Sequence, residues 1–435
     1  MVYALDTLQH EIGGAWPEVL PDSRGILFRL RHTGEDIGEY NIEVVDLRTG
    51  KHKTLVRAVF ARYAPTGHLL YVTADGSLMA SRFDLEHLEL TGTPVRLWRG
   101  VGIGSFGVVD LALSVTGSLL YTTGHGATIA ELTWVSREGA GRPVDPSWRD
   151  GVINGIALSP DGSRVATQYI ALSSGSSTVT EDIWVKRLDT GPLSRLTFEG
   201  RINKVPSWSH DGRDILYLSN RAGLSALYQQ RADGSGPAEL LATDPRGLGE
   251  GSESPDGRWL LLRSEEGTPG RGDILGLRRG VDSVAVPLVA TPFRERDPGL
   301  SPDGRWLAYA SDETGRFEVY VRPFPEVQSG KWQVSTNGGT APKWGHQGGE
   351  LFYRDGADDM IAARVTGRPS FSILGQQRLF SASSYYSTYA HALYEVAPDD
   401  RRFLMLRVGA SSASGQAESV VLVQNFLAEL KRAVP

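Results

Sequence analysis

An all-β fold assembled from repeats is what this 435-residue sequence predicts, and three observations carry the prediction. A four-residue turn recurs along the whole chain. Short apolar or alternating runs of strand length follow every copy of it. No long amphipathic helix interrupts the series before the C-terminus.

The turn comes first. Ser159-Pro160-Asp161-Gly162 returns as Ser254-Pro255-Asp256-Gly257 and as Ser301-Pro302-Asp303-Gly304. Looser copies stand at Ser209-His210-Asp211-Gly212, Leu20-Pro21-Asp22-Ser23, Ala64-Pro65-Thr66-Gly67, Ser114-Val115-Thr116-Gly117, Gly345-His346-Gln347-Gly348 and Ala397-Pro398-Asp399-Asp400. Proline fixes φ, aspartate bonds the backbone two residues on, and glycine accepts φ > 0, so this is a hairpin turn with a mechanism. The copies make nine units spaced by roughly 45–50 residues, the size of a four-stranded propeller blade.

The strands come in a fixed order. Directly after a turn stand RWLAYAS (305–311), DILYLS (214–219), HLLYVT (68–73) and ELFYR (350–354). A second run appears in EVYVRPF (318–324), DIWVKRL (182–188) and IEVVDL (42–47), and a short third run closes the unit in SRLTF (194–198) and AELLA (238–242). With the strand before the turn, each unit has four strands, and the sequence predicts a β-propeller of about nine such units. The single helical signal is Asn425 to Ala433 (NFLAELKRA), with Phe426, Leu427 and Leu430 on one face and Glu429 and Lys431 on the other. It is expected to cover an edge or act as a lid.

Nine units exceed the usual four to eight blades, so ring closure has two solutions. In the preferred one, residues 1–145 hold three units of an incomplete ring. Residues 146–435 then form a complete six-bladed ring ending in the helix. In the other, Val2–Leu5 supplies the outer strand of the last unit and closes one large ring.

Composition removes several function classes. Basic residues number 45 against 51 acidic ones, a formal net charge of -6, so bulk charge favours neither nucleic acid nor an anionic membrane. With no cysteine, disulfides, thiolate metal sites and cysteine nucleophiles are ruled out. No apolar run reaches the roughly 18–20 residues of a spanning helix. The opening MVYALDTLQHEI has neither the basic nor the apolar region of a secretory signal, so the chain as written is expected to be cytoplasmic.

Motifs of catalysis are equally sparse. Gly102 to Val109 reads GIGSFGVV, the spacing of a kinase glycine loop, yet no HRD, DFG or APE segment stands downstream of it. The residues after Gly107 read VVDLALSVTGSLLY, a strand, a turn and a strand rather than a helix facing a pyrophosphate, so the glycines are assigned to a crossover between units. A G-x-S-x-G elbow is absent, and the SPDG turn lacks the extra residue of a sialidase aspartate box. The histidines form neither H-x-x-x-H nor H-E-x-x-H. Asp355, Asp358 and Asp359 lack EF-hand spacing and are expected to solvate a turn. Trp184, Trp208, Trp259, Trp306 and Trp344 are expected to pack between blades. The sequence therefore predicts no enzyme, no cofactor and no metal site.

One stretch suits recognition. SSYYSTYAHALY (383–394) concentrates tyrosines and a histidine in the crossover before the last unit, where crossovers surround the mouth of a propeller channel. Tyr385, Tyr386 and His391 are therefore expected to share that mouth with Asn154, Lys204, Arg296 and Thr340, the corresponding polar positions of other units.

LSPDGRWLAYASDETGRFEVYVRPFP (300–325), together with WQVSTNGGTAPKWGHQGGELFYR (332–354) after it, resembles the repeat region C-terminal to the kinase domain in many bacterial serine/threonine protein kinases. WPEVLPDSRGILF (16–28), ADGSLMASRFDLEHLELTGTPV (74–95) and NFLAELKRAVP (425–435) fit the same family in the same order, and single units look like the TolB-type propeller repeat. The resemblance covers essentially the whole chain. It implies a sensing or scaffolding propeller joined through a membrane segment to a cytoplasmic kinase, and then an extracytoplasmic location. This sequence departs from the family in containing neither the kinase nor the membrane segment, and the family usually has further repeats upstream. A stand-alone descendant or a truncated reading frame is expected.

The functional expectation is a non-catalytic β-propeller that binds a protein or small-molecule ligand at one face, with a kinase domain upstream as a further candidate partner. The alternative is a hydrolase or lyase using channel carboxylates, which needs two or three acids converging with pKa values pushed apart.

Overall fold

The computed structural model describes residues 6, 11–32, 40–104, 107–123, 130–146, 148, 152–170, 180–188, 191–200, 202–265, 272–388, 391–408 and 419–434. Among them the chain forms nine antiparallel sheets, eight of four strands and one of three, together with one α-helix, Phe426–Ala433. The protein is an all-β propeller. It divides into two compact units, one made of Met1–Ile129, Leu172–Val179 and Ala410–Pro435, the other of Ala130–Ala171 and Thr180–Gly409.

The second unit is a closed ring of six sheets. Five are built from consecutive strands, beginning with Val152–Leu158, Asn203–Trp208, Leu248–Glu253, Glu295–Leu300 and Gly339–Trp344 as the innermost strands. The sixth takes its two inner strands, Tyr394–Val396 and Arg402–Val408, from the end of the unit and its two outer strands, Ala130–Ser136 and Gly141–Pro143, from the beginning. Tyr394–Val396 adjoins both Gly339–Trp344 and Val152–Leu158, which completes the circle.

Packing explains why the circle closes. The second strand of a sheet has neighbours on both faces, so its residues are buried without alternation, as in Trp306–Ser311. Tyr217 and Ile215 enter one core with Ala166 and Ile183, while Leu216 and Leu218 enter the next with Leu260 and Leu262. Six such cores lie between the six sheets. Arg137 ties the closing sheet to its neighbour by a bidentate pair with Glu350, both N···O distances being 2.7 Å.

The turn of the repeat works as its residues require. Ser159 Oγ donates to Asp161 Oδ1 (2.5 Å) and accepts from the Arg164 amide (2.9 Å), while Asp161 Oδ1 accepts from the Ser163 amide (3.0 Å). The same set recurs at Ser254-Asp256 and Ser301-Asp303. These bonds hold the Asp161 carboxyl down at about 2, the Ser159 hydroxyl being the largest cause. Glycine is needed twice over. Gly257 has φ +71°, and a Cβ there would lie 2.5 Å from the His210 ring of the preceding turn. Gly162 stands in the same way against Pro398, so these neighbouring turns interlock.

The first unit holds three sheets. Two are four-stranded, running from Glu11–Val19 to His52–Arg57 and from Phe60–Ala64 to Glu89–Arg99. The third pairs Leu111–Leu113 and Leu119–Thr123 with Ser419–Val423 from the C-terminal end. The helix covers the core between the second and third sheets with Phe426 and Leu430, and the Phe426 amide donates to Gly117 O (2.8 Å). Gly107, from the glycine-rich stretch, has φ +71° and accepts at its carbonyl from Arg29 (2.9 Å), as a close-packed crossover does; residues 105 and 106 lie outside the described residues.

The chain is thus not cut at 145/146. The third and ninth repeats exchange halves: the third gives its outer strands to the sheet of the ninth, and the ninth gives Ser419–Val423 to the sheet of the third. The helix consequently belongs to the first unit. The outer positions of the closing sheet are filled by 130–143, and the six sheets close without the first three; Val2–Leu5 lies outside the described residues.

Candidate functional site

The site is built by one repeated irregularity. Each of the five consecutive-sheet inner strands of the ring carries a β-bulge near its start, for example between Lys204 and Ser207, Arg296 and Gly299, and Thr340 and Lys343. Val205, Asp297 and Ala341 occupy the same bulge position with φ of 50°, 53° and 54°, and each precedes a proline. Left-handed backbone at a non-glycine residue costs of order 1–3 kcal/mol and persists only where the surroundings impose it.

Asn154, Lys204, Arg296 and Thr340 all stand five residues before the first residue of their turn, on four different inner strands. His391 joins them, its Nε2 lying 3.0 Å from Asn154 O. A carbonyl only accepts, so Nε2 carries the proton. Burial, reinforced by the charges of Arg263, Lys204 and Lys343, drives the His391 pKa down to about 4, leaving a neutral ring at pH 7. Its Nδ1 is then a buried acceptor with no partner among the described residues. Lys204 Nζ pairs with Glu265 Oε1 (2.7 Å), and the Arg296 guanidinium lies 3.6 Å from the Phe317 ring centroid. Thr340 is half-buried.

The two tyrosines lie elsewhere. Tyr385 is buried in the core between the last consecutive sheet and the closing sheet, edge-on to Phe380 at 6.4 Å, because its apolar ring faces that core. Tyr386 is half-buried in the next core, and its amide donates to Leu406 O (2.7 Å). Arg354 donates to the carbonyls of Ala382, Tyr385 and Tyr386 at 3.0–3.2 Å, fixing this segment as wall rather than ligand platform.

Several polar residues of the site come from positions that the turn spacing does not mark. Arg263 stands next to last in the second strand of its sheet and reaches over Gly249, where a Cβ would stand 2.5 Å from its Nη2. It donates to Glu250 Oε1 (2.6 Å), which also accepts from the Asp297 amide (3.2 Å). Burial raises the pKa of both Glu250 and Asp297. Asp297 Oδ2 accepts from the Ala341 amide (3.2 Å), and its Oδ1 has no partner among the described residues. Lys343 pairs with Glu395 at 3.0 Å. The one sequence signal for Arg263 is the pair of glycines in LGEGSE (248–253), which leaves room for a long side chain.

The result is a polar channel end of near-balanced charge, with acceptors that lack donors and cations supplied by several sheets. Glu250 and Asp297 are both pushed upward by burial rather than apart. Elsewhere, Asp355 caps the amides of Ala357 and Asp359 while Asp358 and Asp359 pair with Arg354 and Arg378, so the three carboxylates are used locally. Trp208 and Trp344 pack between sheets and donate to Ala157 O (2.9 Å) and Gly299 O (3.1 Å) of the preceding one.

No protein-family model matches the chain. It is 32% identical over 105 residues to the uncharacterized peptidase YuxL of Bacillus subtilis, a match covering 24% of this chain and 16% of the length of that protein. Among solved structures it is similar to a protein described as a TolB from Agrobacterium tumefaciens, with 17% identity over 65% of this chain and 99% of the other at a TM-score of 0.46. It is also similar to TolB from Acinetobacter baumannii, with 17% identity over 65% of this chain and 73% of the other at a TM-score of 0.38.

Proposed function

We propose that the six-sheet unit is a non-catalytic binding propeller that takes a polar ligand, a protein segment or small molecule, at the channel end where its inner strands start. The observation that carries this is a pair of buried acceptors without donors among the described residues, His391 Nδ1 beside the start of the Asn154 strand and Asp297 Oδ1 at a bulge held in left-handed backbone. A ligand bearing N–H or O–H groups would satisfy both. The resemblance to the repeat region of bacterial serine/threonine kinases supports a sensor or scaffold role, with a kinase domain as partner and an extracytoplasmic location if the chain is attached to one.

The second reading, a carboxylate hydrolase or lyase, is favoured by Glu250 meeting the Asp297 amide at 3.2 Å and by the raised pKa of both acids. One experiment separates the two. A panel of short peptides, sugars and amino acids is screened by thermal shift, and the same compounds and their esters and glycosides are assayed for turnover. Binding readings require a midpoint rise that His391→Ala removes, with no turnover. Turnover abolished by Glu250→Gln would replace this proposal with the enzymatic one.

A further inference from the structure

A cavity of about 340 Å³ opens between the last two consecutive sheets of the six-sheet unit. Its walls include the turn Ser301-Pro302-Asp303 and the Gln347-Gly348 end of the next turn, so it stands at the far end of the inner strands from the channel site. Trp306, Trp344 and Phe371 supply its apolar part. Phe371 joins the two indoles, its ring centroid lying 5.3 Å from that of Trp306 and 6.4 Å from that of Trp344. An aromatic wall with a few fixed polar groups is the usual make-up of a small-molecule site.

The polar groups are both donors and acceptors. Trp306 is only 7% exposed, and its Nε1, which can only donate, has no partner among the described residues. A buried indole N–H normally finds an acceptor, as Trp344 does at Gly299 O (3.1 Å). A Cβ on Gly367, another wall residue, would collide with Trp306 Nε1. Gly367 is not in left-handed backbone, so the approach of the indole is what requires glycine there. Asp303 Oδ1 is held by Ser301 Oγ (2.6 Å) and the Arg305 amide (3.2 Å), which leaves Oδ2 without a partner among the described residues. The exposed side chains of Gln347 and Arg368 have none there either.

We propose that this cavity binds a neutral mono- or disaccharide. Asp303 and Arg368 are the one acid and one base among the described residues that wall it, so the wall favours neither an anion nor a cation. Trp306 and Arg368 only donate, the Asp303 carboxylate only accepts and the Gln347 amide does both. A series of hydroxyls answers all four, because each hydroxyl donates and accepts. The C–H faces of the sugar ring would then lie against the indoles.

The full chain, isotopically labelled at nitrogen, is titrated with glucose, galactose, mannose, N-acetylglucosamine, cellobiose and maltose while its indole N–H signals are followed by NMR. Trp306→Phe identifies the Trp306 signal by its loss. At least one of these sugars should shift that signal saturably. Trp306→Phe and Gln347→Ala should each weaken that sugar about fivefold, the scale of one hydrogen bond. Trp259→Phe, at the same place after the turn of the preceding sheet, should leave its affinity unchanged. No saturable shift of the Trp306 signal with any of the sugars, or equal weakening by Trp259→Phe, would overturn the site. Tighter binding of the corresponding uronic acid or amino sugar than of its neutral parent would overturn the assignment to a neutral ligand.

Discussion

The two units use the same repeat and reach different ends. Six sheets in the second unit enclose six cores, so each sheet has both apolar faces covered. Among the described residues of the first unit, two larger cores lie between its three sheets and a small cluster of Phe28, Leu30 and Val45 lies on the first sheet, while Leu120, Val420 and Leu422 of the third are exposed. A blade is apolar on both sides, which is a liability at the end of a stack and an asset in a ring. The cost of the ring is the long-range pairing of 130–136 with 402–408, which is the loop-closure penalty of the whole unit.

The largest test of this contrast breaks the closing core. Phe403 is fully buried on the closing sheet, with ring centroids of Phe352 at 5.1 Å, Phe380 at 5.8 Å and Tyr394 at 6.2 Å. Phe403→Ala should cost about 3–5 kcal/mol in denaturant unfolding, because a core walled on both sides collapses little onto the void. Phe426→Ala, in the open stack, should cost less, since the terminal helix that carries it is free to settle into the void. Equal losses would mean that closure confers no extra rigidity.

That contrast was only partly legible in the sequence. The turns could be read because every bond in them spans five residues or fewer, from Ser159 to Arg164. Strand order within a repeat could be read for the same reason. The exchange between the third and ninth repeats could not, because the runs at 130–136 and 419–423 are both ordinary apolar strands and nothing local names their partners. The site divides in the same way. Asn154, Lys204, Arg296 and Thr340 follow from a fixed offset to the turn, whereas Arg263 reaches the channel from a second strand through the gap at Gly249. Tyr385 misled because composition shows a tyrosine without showing that its ring faces Phe380.

A smaller effect sharpens the comparison through pH. Glu295, at the start of an inner strand of the ring, is fully buried, and burial pushes its carboxyl up to about 7 despite a 2.5 Å bond from Thr291 Oγ1. The folded state therefore holds a proton that the unfolded state releases above 4.5. Stability from this group is complete below that pH and declines as pH rises to about 7, where the loss levels off. Glu295→Gln cannot ionise, so it should match the native protein under acid conditions and exceed it above neutrality, by of order 2 kcal/mol. Denaturant titrations of both proteins across that window check the sign. A variant less stable at every pH would show that the carboxylate is a needed acceptor.

The smallest expected effect concerns the uncovered face. Leu120 and Leu422 pair across neighbouring strands on that face, and Val420 and Leu422 are 69% and 56% exposed. Lysine at a solvent-facing sheet position changes stability by no more than about 0.5 kcal/mol, whereas a charge placed in a covered core is far costlier. Val420→Lys and Leu422→Lys should therefore unfold at nearly the native denaturant midpoint. The matching change at Leu406, buried between the closing sheet and the first sheet of the ring, should be severely destabilising. If the lysines at 420 and 422 proved nearly as damaging, the third sheet would have a neighbour in solution, and the open stack would be completed by another chain. The size of that penalty thus reports directly on whether the first unit ends in water.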